Sequence, residues 1–114
     1  MAKYECNLQG DCKELMDLII EGILNGSSSA SLEGGSDFDT DEVHCSVRVF
    51  ERYSMIGGNR VSLNVAVFEN RGQLSLSAIT SGGSQAVLFK VNTFGEEAFL
   101  ECLEEIVKDY KTGR

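Results

Sequence analysis

The sequence predicts a two-layer α+β domain: a curved antiparallel sheet with two helices on one face, in the order β-α-β(4–5)-α. Three observations carry that expectation. Alternation of apolar and polar residues marks Lys3–Leu8 and then three successive segments between Val43 and Ile79. Helical spacing of apolar residues marks Cys12–Asn25 and Phe94–Tyr110. Each helix has one apolar stripe and the strand run one strongly apolar face, so stacking both helices on that face covers all three surfaces. At 114 residues and 42% hydrophobic content, residues 1–114 suit one domain with a real core.

In the first strand, Tyr4, Cys6 and Leu8 share one side and Lys3, Glu5 and Asn7 the other. Asp11 and Glu14 stand where an N-cap and its N3 acid belong, and Leu15, Met16, Ile19, Ile20 and Ile23 continue the first helix up to Gly26. Ser27–Leu32 reads as extended, but Gly34 and Gly35 weaken it, and Asp37–Glu42 is acidic enough for a solvated connection. The next strand alternates cleanly: Val43, Cys45, Val47 and Val49 form its inward set, and His44, Ser46, Arg48, Phe50 and Arg52 its outward set.

After a hairpin connection, Val61, Leu63, Val65 and Val67 form a second inward set, expected to pair odd with odd, as in Val49 opposite Leu63. Glu69–Gly72 makes the following turn, and Leu74, Leu76 and Ala78 continue the face. Val87, Phe89 and Val91 suggest a short last strand. Thr93 and Glu96 then resemble a capping box for the second helix.

The formal charge of −8, from 18 acidic against 10 basic residues, repels nucleic acid and anionic membrane surfaces. Glu5, Asp11, Lys13, Glu14, Asp17 and Glu21 break up the first 24 positions, so no secretory leader is expected there, and no span approaches the ~20 apolar residues of a membrane helix. Cys6, Cys12, Cys45 and Cys102 have neither zinc-site spacing nor a C-x-x-C pair, which suits reduced thiols in a cytoplasmic protein.

The element order resembles the TATA-box-binding-protein repeat and the related helix-grip folds. More specifically, ERYSMIGGNRVSLN (Glu51–Asn64) and AITSGGSQAVLFKVNTFGEE (Ala78–Glu97) are similar to segments of a family of small uncharacterised bacterial proteins. The first resemblance implies a fold only. The second brings no established activity.

The residues themselves offer three candidate sites. Ser81, Gly82, Gly83, Ser84 and Gln85 form a glycine-bearing loop able to present backbone N–H groups to an anion, though without the Lys-Ser/Thr ending of a P-loop; a turn between strands is the simpler expectation. Asp37, Asp39 and Asp41 copy the start of a calcium loop, but Glu42 stands where glycine is required and Arg48 where the closing Glu belongs. No metal or cofactor is expected. His44 and Cys45 are adjacent, and successive strand residues point to opposite faces, so no catalytic dyad is expected.

The outer sheet face holds the third candidate. Arg48, Phe50, Arg52, Arg60, Phe68, Ile79 and Leu88, with Lys90, form its expected interface, and one allowed register sets Arg52 against Arg60. The expected function is therefore a non-catalytic module that self-associates as a homodimer through this face. The alternative is a carrier holding a small apolar ligand between sheet and second helix, near Cys45, Tyr53 and Cys102.

Overall fold

A computed structural model describes residues 1–54, 59–82 and 89–113. The order is β1 (Ala2–Gln9), α1 (Cys12–Gly26), β2 (Ser31–Asp39), β3 (Val43–Ser54), β4 (Asn59–Asn70), β5 (Gln73–Gly82) and α2 (Phe89–Lys111). The five strands form one open antiparallel sheet in the order β1-β5-β4-β3-β2. Both helices pack on one face of it. Their stripes of Leu15, Met16, Ile19 and Ile23 (α1) and of Phe99, Leu103 and Val107 (α2) meet Leu63, Val65, Val67, Leu76 and Ala78 in a single core. The two-layer α+β architecture is thus the one expected.

Local chemistry explains most boundaries. Asp11 adopts the extended N-cap conformation and its Oδ2 accepts the Glu14 N–H at 2.8 Å. Between β4 and β5, Arg71 (φ 54°) and Gly72 (φ 81°) are both left-handed, the two-residue turn whose twist matches paired strands. The four cysteines are free.

Three expectations are corrected. First, of the acidic stretch Asp37–Glu42 expected as a solvated connection, only Thr40–Glu42 connects; Asp37–Asp39 end strand β2, with Asp37 and Asp39 paired to Ser46 and His44 of β3. It is an edge strand, exposed along nearly its whole length, and the sheet's backbone ladder holds it despite Gly34 and Gly35.

Second, α2 starts at Phe89, so Phe89 and Val91 are helical rather than part of a last strand; Val87 lies outside the described residues. Glu96 does not cap this helix. Its buried carboxylate accepts the Gly82 N–H at 2.6 Å and pairs with the Met1 nitrogen, fastening α2 to the adjacent ends of β5 and β1.

Third, β3 is turned over. Phe50 lies opposite Leu63 and Val49 opposite Asn64, so odd positions pair with even ones, and Arg52 faces Val61 while Tyr53 faces Arg60. Phe50 is 0% exposed. One large aromatic ring seated between the sheet and the helices sets the facing, and the smaller valines of β3 are left on the outside.

Candidate functional site

Turning β3 over creates one surface that the alternation did not disclose and changes the make-up of the other, the expected outer face. On the helix side, His44, Ser46 and Arg48 project toward α1 with Asp37 and Asp39 of β2 beside them, and together with Asp11, Cys12, Lys13, Met16, Asp17 and Glu69 they line a polar cleft of about 460 Å³. Its polar groups are closely matched. Arg48 grips Asp37 with two parallel bonds, Nη1 to Oδ1 at 3.0 Å and Nη2 to Oδ2 at 3.1 Å. Ser46, 8% exposed, donates its hydroxyl to the same Asp37 Oδ1 at 2.6 Å. These two donors, Arg48 foremost, hold the Asp37 carboxyl below its ordinary value.

Also lining the cleft, His44 Nδ1 lies 2.7 Å from Asp39 Oδ1. That bond raises the imidazole above its ordinary value of 6.5. On the α1 wall, the Cys12 N–H donates to Glu69 Oε1 at 2.7 Å, so a carboxylate from β4 satisfies one of the helix's free N–H groups. Burial pushes the Cys12 thiol up, away from the reactive thiolate form. Among the described residues, no group of three His, Cys, Asp or Glu side chains is placed to hold a metal.

The second surface is the outer sheet face, which neither helix covers. The pairing builds it in rows. Phe38, Cys45, Phe68, Ser75 and Asn7 form one row; Ser36, Val47, Ala66, Ser77 and Glu5 the next; Gly34, Val49, Asn64, Ile79 and Lys3 a third. Phe38 is 63% and Phe68 44% exposed. The β2–β4 half is therefore an apolar ridge. Beside Phe68, the short serines of β5 leave a shallow trough of about 390 Å³ lined by Ser75, Ser77, Glu5, Asn7 and Ala66.

The expected interface residues divide between the two sides. Phe68, Ile79 and Arg60 lie on the outer face, with Arg60 Nε bonded to Glu51 Oε1 at 2.9 Å. Phe50 belongs to the core instead, and Arg48 and Arg52 lie on the helix side, because all three share β3's inward face. The Arg52 guanidinium stacks 4.6 Å from the centre of the Phe99 ring and points Nη1 at Cys102 Sγ, 3.6 Å away. Leu88 and, of the expected loop, Gly83, Ser84 and Gln85 lie outside the described residues, as does the side chain of Lys90. Ser81 and Gly82 end β5, where the Ser81 carbonyl accepts from the Ser62 hydroxyl.

The residues expected around an apolar ligand do not converge either. Cys45 and Tyr53 are on the outer face, whereas Cys102 lies beneath Arg52 on the helix side. His44 and Cys45 are likewise on opposite faces of the sheet.

Sequence reasoning passed over the cleft, though a signal was present. In an antiparallel hairpin closed at Thr40–Glu42, partners' numbers have a constant sum, which sets Asp39 against His44 and Asp37 against Ser46. Acids then fall opposite donors.

An open antiparallel sheet, two helices on one face and a bare ridge-and-trough surface on the other together define the class: an α+β protein whose uncovered surface is a sheet face. The chain belongs to a family of unknown function, DUF6054, matched over residues 1–111. No curated protein matches it. No helix among the described residues is long and apolar enough to cross a membrane.

Proposed function

We propose that the protein is a non-catalytic interaction module that forms a homodimer by stacking the outer faces of two sheets. The observation that carries this is the ridge beside the trough. A two-fold interface must be self-complementary, with each copy offering both a protrusion and its receptacle. Phe38 and Phe68 supply the protrusion and the Ser75–Ser77 trough the receptacle, on one face of one chain.

Charge and size support a second copy as the occupant. The ladder positions of this face carry Lys3 and Arg60 against Glu5 and Glu51, and Glu33 at the β2 bulge, bonded to Ser31, adds one acid beyond balance. Most of the net −8 therefore resides elsewhere, as on the exposed acids of both helices, and opposes contact here only weakly. Over the 8-residue length of β1, along which all five strands pair, strands ~4.8 Å apart span roughly 600 Å², approaching the ~800 Å² per partner of a standard interface.

The β-α-β-β-β-β-α order supports placing the fold with the TATA-box-binding-protein-like and helix-grip group, and four free thiols support a reducing, cytoplasmic setting. The carrier alternative has no supporting observation, since its residues are spread over both faces.

Sedimentation equilibrium tests the proposal. The wild type is expected to be a dimer and Phe68→Glu a folded monomer, with Leu18→Glu on the exposed surface of α1 still a dimer. A wild type that remains monomeric at high concentration, or a Phe68→Glu dimer as tight as wild type, removes the proposal.

A further inference from the structure

Phe38 stands between the two acids that tie β2 to the rest of the sheet. Side chains alternate along a strand, so Asp37 and Asp39 point into the cleft while Phe38 points to the outer face. β2 is an edge strand, paired only with β3. Beside Phe38, the side chains that strengthen this hold lie on the cleft side, Arg48 and Ser46 on Asp37 and His44 on Asp39, while Arg60 bonds Ser31 at the far end of the strand. Phe38 is thus an exposed anchor whose position is set from behind.

The two ties differ in chemistry. Arg48 stays charged at any pH the protein meets, so the Asp37 tie is permanent between mild acid and mild base. His44, the chain's one histidine, is not permanent in that way. The groups facing it are all acids: Asp39 of β2, Glu69 of β4 and Asp11 ahead of α1. The basic groups of the cleft, Arg48 and Lys13, are engaged by Asp37 and Asp17.

We propose that the His44–Asp39 contact is a proton-operated clasp that sets how firmly β2 holds Phe38 in the outer face, and thereby regulates self-association through that face. The clasp is closed when imidazolium meets carboxylate. Its folded-state value is raised, so its contribution is complete below the ordinary 6.5 and is lost as pH climbs through the raised value. Dimerisation is tightest in mild acid and weakens above neutrality. The inference rests on the outer-face dimer proposed above.

The test is the dimer dissociation constant of the full chain from pH 5.5 to 8.5, by sedimentation equilibrium, for wild type and His44→Gln. Falling net charge in acid favours association in every variant, and His44 adds its own charge in wild type, so the clasp is read from His44→Gln together with Asp39→Asn, which keeps the imidazole and removes its partner. Wild type is expected to lose roughly two- to five-fold more affinity than His44→Gln over the interval, the scale of one exposed ion pair. Asp39→Asn is expected to flatten the profile in the same way. Parallel curves for wild type and His44→Gln overturn the clasp and leave the dimer standing. A wild type that is monomeric at every pH overturns both.

Discussion

β3 and β4 are neighbours of the same length, twelve residues each, and both alternate apolar with polar residues. Yet β4 buries its Val61-Leu63-Val65-Val67 set, whereas β3 turns its Val43-Cys45-Val47-Val49 set to the outside and buries Phe50. Alternation divides a strand into two faces. It does not say which face is the inner one. The decision in β3 belongs to a single large side chain, whose burial outweighs the partial exposure of several small ones.

Truncation series can break this contrast. Phe50→Ala is expected to cost about 3–5 kcal/mol by urea titration, because it empties a closed space between sheet and helices. Leu63→Ala, its cross-strand partner on β4, should cost about 2–5 kcal/mol. Val49→Ala, on the outer side of the same strand as Phe50, should stay within ~1 kcal/mol. A Val49 cost equal to that of Phe50 would mean that β3 faces the other way.

A smaller effect concerns β3's polar inward residues. Asp37 is held below its ordinary 3.8, so its contribution is present above that value and is lost as pH falls through the lower folded one. Ser46→Ala removes one of the two donors responsible. The acid-unfolding midpoint, followed by circular dichroism, should move upward, with the neutral-pH stability changed less than in either core variant. An unmoved midpoint would assign the whole effect to Arg48.

Much of this was legible. β1, β4, β5 and the Asp11 cap of α1 follow from local patterns, because each carries its own turn or cap residues and its dominant apolar set points inward. β2 was not legible, since Gly34, Gly35 and a run of acids have little strand preference of their own. Partners on β3, five to twenty residues away in the chain, hold it in place. The start of α2 misled for a similar reason: Glu96 sits three residues after Thr93 as a capping residue does, but Gly82 and Met1 claim its carboxylate. The cleft depended on the facing of β3, so no reading that placed the valines inside could contain it.

The sheet order has a kinetic consequence. β2 to β5 are joined as successive hairpins, each closing a short loop, whereas β1 meets its partner β5 across the longest span of the sheet, as in Ala2 opposite Thr80. The entropy of closing a loop grows with its length, so the four-strand meander can nucleate by itself while β1 waits. With no proline in the chain, slow peptide-bond isomerisation does not obscure this order. Pulsed hydrogen exchange during refolding should find the amides of β3–β5 protected before those of β1, and simultaneous protection would contradict it. The strand earliest in the chain is the last to be zipped into the sheet, and Glu96 can take hold of both β1 and β5 only once that has happened.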